Sequence, residues 1–376
     1  MGPTDSTRWI VAQIGARRHY AVPAALSNAG LLACLYTDLH AGHSLAKLAG
    51  AIVPERFRPA PLRSILSRGI ADVPAERICT LPGFTLRSLM RRSRNEGPGD
   101  AYRRWASANR AFNRTVVRSK WPDAGGVYVF NGAGLEILER AKQLGLRTIV
   151  DQTDAPFSIE ERLLDEERER WPGWERGRIT PSDWEPMAER ERAEWNLADM
   201  ILCGSEYVRD GVAAAGGPGE CCRVIPYGFG HTHGATPNRM LRHPARELNV
   251  LFAGTLCLRK GIPYFGEAAR RLSVAPVRFR AVGTQAVSES ALGSLERYVE
   301  VAGTVPRSRM VEQYEWADVV VLPSISEGSA NVCYEALAHG VPVVTTPHAG
   351  SVVRDGRDGF IVPIRDVDAL VEVIER

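Results

Sequence analysis

Cysteine is scarce in this sequence. The seven cysteines among 376 residues (Cys34, Cys79, Cys203, Cys221, Cys222, Cys257 and Cys333) are scattered, odd in number and form no CxxC pair. That excludes a disulfide framework, leaves a Cys/His zinc site without its spacing, and fits a reducing compartment in which most of these residues are small core side chains. Long apolar runs are missing too. None approaches the ~18–20 residues that a membrane-spanning helix needs. Residues 1–8 are short and polar, and the apolar stretch after them is broken by Arg17, Arg18 and His19, which is unlike a secretory signal. Repeats and low-complexity segments are also lacking. Together these absences predict a cytoplasmic protein. What is present, 44% hydrophobic and 24% charged residues, is ordinary globular usage. At about 100–200 residues per domain the length suggests two or three domains.

A net charge of only +3 conceals a strong division. Residues 41–120 carry 16 Lys/Arg against 5 Asp/Glu, whereas residues 151–200 carry 7 against 15. In the basic block Arg56, Arg58, Arg63, Arg68, Arg87, Arg91, Arg92 and Arg94 alternate with apolar residues such as Phe57, Leu62, Ile65, Phe84 and Leu86. Such a pattern makes amphipathic helices with solvated Arg faces, or a surface for anionic lipid or an anionic acceptor. The balancing acidic block and the lack of a recognisable module argue against nucleic acid.

Short β-branched runs alternate with helical periods, the signature of α/β layers around parallel strands. Strands are predicted over 9–14, 32–37, 127–130, 148–151, 200–203 and 223–225, with helices over 21–29, 134–144, 160–170, 187–197 and 206–215. Residues 43–120 resist ordering. The aperiodic stretch 231–246, with Gly234, Pro237 and Pro244, is the linker candidate. A second series follows, with strands over 249–252, 278–282, 299–302, 319–322, 343–345 and 360–362. Helices are predicted over 264–272, 310–316 and 330–338, and from Asp366 onward. The expectation is two doubly wound α/β domains, 1–235 and 236–376, with a ligand cleft where their strand ends face each other.

The segment PSISEGSANVCYEALAHGVPVVTTP (323–347) carries the most chemistry. It follows an apolar strand and opens a helix, with Ser329 read as the N-cap. The free N–H groups of that helix end suit a phosphate or sugar oxygen. Glu327 just before the helix and Glu335 within it would repel a bare diphosphate, but an ionised carboxylate accepts hydrogen bonds from hydroxyls. A nucleotide sugar supplies both kinds of group. Cys333, inside the same helix, reads as packing.

The spacing Glu327-x7-Glu335 resembles the E-x7-E motif of the retaining glycosyltransferases of family 4, which have the GT-B fold. ALAHGVPVVTT continues that likeness. FAGTLCLRKGI (252–262) resembles the family's phosphate-binding loop. SEYVRDGV (205–212) with VIPYGF (224–229) resembles the end of its first domain, and RDGRDGFIVP (354–363) a further segment. The likeness is strong over 200–376, thinner over 1–40 and 127–155, and essentially absent over 41–120.

The resemblance implies a GT-B-like, metal-independent hexosyltransferase of polysaccharide or glycoconjugate biosynthesis. It would move a sugar, with retention, from a nucleotide diphosphate sugar to an acceptor hydroxyl on a carbohydrate or lipid-linked molecule. No cofactor is implied beyond the donor itself. Glu335 would bind the donor ribose and Glu327 the transferred sugar. The amides of Gly328, Ser329, Ala330 and Asn331 would face sugar and diphosphate, with Gly254, Thr255 and Gly283 lining the donor site. Arg259 and Lys260 would hold the diphosphate, whose charge grows as it leaves. Gly15, Arg17, Arg18 and His19 would lie on the acceptor or phosphate side.

Some positions depart from the family. The polar residue usually found after the fifth strand, commonly His, is replaced by the run DQTDAP, which leaves Asp151 and Asp154, with Asp154 the catalytic candidate. Thr255 stands where some members have Arg, and Phe229-Gly230 where an acidic residue usually follows Tyr-Gly. The resemblance implies more C-terminal helix than the stretch ending at Arg376, so this end reads as minimal or truncated. Two alternatives stay open: a nucleotide-sugar epimerase on the same fold, and a non-catalytic nucleotide- or sugar-binding partner. The basic block adds an expected peripheral contact with the inner face of an anionic membrane.

Overall fold

The computed structural model describes residues 6–70, 72–90, 98–175, 177, 179–228 and 247–376. The linker candidate 231–246, the Phe229-Gly230 pair, the expected break between 235 and 236, and Arg91, Arg92 and Arg94 lie outside the described residues.

Among the described residues thirteen strands form two sheets. In the first are β1 (Trp9–Gln13), β2 (Leu32–Thr37), β3 (Ile78–Thr80), β4 (Gly126–Phe130), β5 (Arg147–Gln152), β6 (Met200–Cys203) and β7 (Cys222–Val224). Their order is β3-β2-β1-β4-β5-β6-β7. The pairs β1–β2, β1–β4, β2–β3 and β4–β5 are parallel. The second sheet holds β8 (Leu248–Ala253), β9 (Val277–Val282), β10 (Glu300–Gly303), β11 (Val319–Leu322), β12 (Val343–Thr345) and β13 (Gly359–Ile361). Its order is β10-β9-β8-β11-β12-β13, and all five pairings are parallel. Both orders reverse beside their first strand, at β1/β4 and at β8/β11. In such doubly wound sheets ligands bind outside the carboxyl ends of the strands at this switch point.

The strands are legible because parallel strands buried on both faces need continuous apolar residues rather than alternation. Val250, Leu251 and Phe252 of β8 and Val320, Val321 and Leu322 of β11 are fully buried. They pack with Phe265, Phe279, Val343 and Cys333 in the core of the second sheet. Around the first sheet Ile10, Val127, Val129, Ile137, Leu138 and Phe112 form the corresponding core. Burial pushes the Cys333 thiol up to about 12, as suits a packing residue.

Residues 43–120, left unordered above, contain helices Ser44–Ile52, Ala60–Leu66, Pro82–Met90 and Pro98–Arg118 together with the edge strand β3. The short helix Glu289–Leu295 is also additional.

The chain forms two compact units. One comprises Met1–Gln152, Arg178–Leu202 and Glu220–Arg223; the other comprises Thr153–Gly177, Cys203–Gly219 and Val224–Arg376. The second unit is therefore the second sheet plus the helices Phe157–Arg170 and Glu206–Ala214.

Candidate functional site

In the second unit the chain leaves β8 through Gly254 and Thr255 into a 3-10 turn, Leu258–Lys260. The Leu258 amide donates to Glu175 Oε1 at 2.8 Å, which anchors this turn. Across the switch point the chain leaves β11 into the loop preceding the helix Asn331–Ala338. The two segments are stitched together: the amides of Ile325 and Ser326 both donate to the Arg259 carbonyl, at 2.8 and 3.3 Å. Gly283, at the end of β9, has φ +151°, and a Cβ there would sit 1.8 Å from the Gly254 carbonyl oxygen. Gly328 is crowded in the same way, with the Thr153 carbonyl oxygen 1.6 Å from where its Cβ would be.

This scaffold brings opposite charges together. Lys260 Nζ is ion-paired with Glu327 Oε1. Arg259 Nη1 lies 3.6 Å from Glu327 Oε2, 3.7 Å from Asp154 Oδ1 and 3.9 Å from Glu160 Oε2. It also meets the Ser326 carbonyl at 3.4 Å. Burial works to raise the Glu327 carboxyl, but Lys260 and then Arg259 outweigh it and hold Glu327 below the usual carboxylate range. Glu327, first of all, and the other two carboxylates in turn keep Arg259 firmly charged.

Glu335 is the fifth residue of the helix that starts at Asn331 and is more exposed than Glu327. Tyr314 donates its hydroxyl to Glu335 Oε2 at 2.7 Å, and Arg307 lies 3.6 Å from Oε1. Tyr314 is itself stacked on His339, so the carboxylate is held in a fixed orientation. An oriented carboxylate of this kind accepts hydroxyl donors, while the Arg259–Lys260 pair suits an anion.

Two expectations at the helix entrance need correction. Ser329 is not the N-cap: Ala330 occupies that position without a side-chain cap, and Ser329 Oγ shares a 2.7 Å hydrogen bond with the Tyr334 hydroxyl. The Ala330 amide is not turned to a donor either, because it donates to the Ala349 carbonyl at 3.1 Å. Asn331 is the first helical residue.

Sequence reasoning missed Glu160 and Ser326. Ser326 Oγ donates to Glu160 Oε2 at 2.9 Å, and the Tyr207 hydroxyl donates to Ser326 Oγ at 3.4 Å. The one usable signal was position: Glu160 lies in the first turn of an acidic helix, six residues beyond Asp154.

In the first unit, Gly15 follows β1, and its amide donates to Asp38 Oδ1 at 2.8 Å. Arg68 pairs with the other oxygen of Asp38 at 2.6 Å. Arg17 lies over the rings of Phe130 and Trp105, at 5.6 and 5.9 Å. Arg18 pairs with Asp151 at 2.8 Å, and Tyr128 donates to the same carboxylate at 2.6 Å. Asp151 lies inside β5 rather than beyond its end. Arg18, His19 and Tyr20 all have positive φ, 47°, 50° and 61°. Three consecutive left-handed non-glycine residues cost about 1–3 kcal/mol each, and such strain clusters at functional sites. Asp151 and Asp154, neighbours in sequence, thus belong to different units and have different partners.

Residues 247–376 match the family described as glycosyl transferases group 1. The putative colanic acid biosynthesis glycosyltransferase WcaL of Salmonella typhimurium is 29% identical over 187 residues, covering 46% of this chain and 46% of the relative. The amylovoran biosynthesis glycosyltransferase AmsK of Erwinia amylovora is 27% identical over 146 residues, covering 35% and 36%. The chain spans less than half the length of these curated relatives. Solved structures match over nearly the whole chain. HepE of Anabaena in complex with UDP-glucose has a TM-score of 0.59 at 14% identity, covering 98% of this chain and 88% of that one. Sucrose-phosphate synthase of Thermosynechococcus elongatus has a TM-score of 0.64 at 18% identity, covering 98% and 89%. WaaG, a glycosyltransferase involved in lipopolysaccharide biosynthesis, scores 0.58 at 15% identity, covering 97% and 89%. Two Rossmann-like parallel-sheet units in one chain are the fold of these GT-B enzymes.

Proposed function

We propose that this protein is a glycosyltransferase that moves a sugar from a nucleotide diphosphate sugar to an acceptor hydroxyl in polysaccharide or glycoconjugate biosynthesis. The observation that carries the proposal is the meeting of Glu327 with Lys260 and Arg259 at the β8/β11 switch point, with Glu335 oriented by Tyr314 in the helix that follows. In this reading Glu335 accepts the ribose hydroxyls, and Glu327 accepts hydroxyls of the transferred sugar. Arg259 and Lys260 hold the diphosphate and stabilise the charge it gains on leaving. Asp154, beside Arg259, is the candidate polar group on the acceptor side of the reacting centre. The proposed stereochemistry is retention, with the acceptor attacking the face that the diphosphate leaves. The match of residues 247–376 to a glycosyltransferase family supports the reaction class.

The two cations do the electrostatic work often given to a divalent metal, so turnover is expected to persist in EDTA. The direct test is thermal stabilisation by UDP, GDP, ADP, CDP and TDP, because a ligand that binds only the folded state raises the melting temperature. A shift with one nucleotide, lost in Glu335→Ala, is the expected result. No shift with any of them would remove the basis of the proposal. Turnover of a donor without acceptor would favour the epimerase.

We also propose peripheral contact with an anionic membrane. The helix Ser44–Ile52 exposes Leu45, Leu48 and Ile52 at i, i+3 and i+7, with exposed Phe57 just beyond. Lys47, Arg56 and Arg63 supply positive charge around this apolar stripe, a combination suited to an interfacial helix.

A further inference from the structure

We infer that Glu160 is a further positioning residue of the donor site: it takes up a proton from solvent when the diphosphate of a nucleotide engages Arg259 and Lys260. The inference rests on the donor-site reading above.

Three carboxylates, Asp154, Glu160 and Glu327, face two cations in this site. A diphosphate adds further negative charge to a cluster that already has a surplus of it. Neutralising one carboxylate removes that conflict, and the three differ in how readily each can be neutralised. Glu327 is held charged by its ion pair with Lys260 and by Arg259. Asp154 has a side chain 49% exposed, so solvent can stabilise its charged form. The Glu160 side chain is only 17% exposed, and its nearest cation is 3.9 Å away, beyond hydrogen-bond distance. Its hydrogen bond comes from the neutral Ser326 hydroxyl. A buried carboxylate with no cation in direct contact loses least on protonation.

The groups that face Glu160 come from every neighbouring element. Arg259 approaches from the 3-10 turn, Asp154 from the segment after β5, Ser326 and Glu327 from the loop after β11, and Tyr207 from the helix Glu206–Ala214. Glu161 adjoins it on its own helix, and Arg162 lies on the Tyr207 side. Burial, foremost, pushes the Glu160 carboxyl up to about 7, with Arg259 opposing and Asp154 reinforcing. A bound diphosphate draws Arg259 toward itself and adds negative charge, and both effects raise it further. The neutral form still keeps a hydrogen bond at Ser326, since a hydroxyl can donate or accept, although the Ser326 donor favours the charged form.

The test is titration calorimetry with whichever of the five nucleoside diphosphates raises the melting temperature, at pH 7.5 in HEPES and in Tris. Buffers of different ionisation enthalpy report protons exchanged on binding. The expected result is net proton uptake by the unmodified protein and none by Glu160→Gln. The ligand's own terminal phosphate, held by cations, gives the opposite sign, proton release. Affinity of the unmodified protein should fall between pH 6.5 and 8.5, approaching roughly tenfold per pH unit at full coupling, while Glu160→Gln shows no such fall. Equal uptake in the two proteins, or binding without buffer dependence, overturns the role of Glu160 alone. No binding of any nucleotide to the unmodified protein overturns the donor site and this inference with it. Gln keeps a carbonyl for the Ser326 hydroxyl, so the variant should fold. Ser326→Ala is the second variant: it removes the donor that favours the charged form, so its affinity loss should move to higher pH.

Discussion

Lys260 and Glu327 hold each other where water reaches neither well: the Glu327 side chain is 8% exposed and that of Lys260 14%. Lys260→Ala leaves a buried carboxylate short of its partner, an omission that typically costs about 3–5 kcal/mol. The variant is expected to melt lower and to lose turnover more strongly than nucleotide affinity. Glu335→Ala should do the reverse, weakening nucleotide binding at nearly unchanged stability, and Tyr314→Phe should follow it by a smaller amount. Steady-state kinetics with melting curves separates these cases. Glu327 also makes stability depend on pH. Its folded carboxyl lies below the usual range, so its contribution is present above the unfolded value of about 4.3 and disappears as pH falls through the folded one. Urea unfolding should therefore show the gap between the unmodified protein and Glu327→Gln narrowing as pH drops below about 4. Glu327, Arg259 and Lys260 were legible because each lies in the segment leaving a strand end, and Glu335 because of its seven-residue spacing from Glu327. Glu160 was not, because its significance comes from a hydroxyl 166 residues away. Ser329 misled for the opposite reason: a good local capping residue is claimed by the hydroxyl of Tyr334 instead.

Strands and helices differ in how far sequence discloses them. The buried parallel strands were readable to within a residue or two, since 32–37 and 319–322 coincide with β2 and β11. Edge strand β3 is three residues long and only half-buried, so it carries no apolar run to notice. The helices of 41–120 have small or arginine-rich faces whose register is set by what they pack against. Glycines also mark the elements unequally. Gly283→Ala would place a Cβ against the Gly254 carbonyl oxygen at an unfavourable φ and should lower the melting temperature and weaken nucleotide binding, because Gly254 begins the Arg259–Lys260 turn. Gly293 lies in the helix Glu289–Leu295 with nothing within 4 Å of its Cβ position. Gly293→Ala is therefore expected to be neutral or to stabilise by up to about 1 kcal/mol. Equal losses in both variants would contradict this account of the β8–β9 strand ends.

At the scale of the whole molecule the two charge blocks have different fates. Much of the acidic block is turned inward: Glu161, Glu167, Glu191 and Glu194 are buried. Arg168 meets Glu161, Arg365 meets Glu167, and the amides of Gly132 and Gly134 donate to Glu194. The basic block keeps much of its charge outside, with Leu48, Ile52 and Phe57 exposed among it. No helix among the described residues is long and apolar enough to cross a membrane. Vesicles of phosphatidylcholine with phosphatidylglycerol should therefore sediment the protein at low salt, and raised salt should release it. Ile52→Asp should weaken sedimentation without lowering the melting temperature. Absence of binding at low salt would remove the membrane contact from the proposal.

The discontinuous make-up of the second unit has a consequence for biosynthesis. Glu167 is joined to Arg365, 198 residues later, so at about 5–20 residues per second the ribosome leaves it waiting on the order of 10–40 s for its partner. Until residues 258–264 emerge to meet Glu175 and Glu167, Thr153–Gly177 is a nascent segment without a home, exposed to chaperones and proteases. A gene fragment beginning at residue 247 would encode the matched family region yet lack this segment altogether. It should accumulate in inclusion bodies, and co-expression of residues 1–246 should bring part of it back into the supernatant.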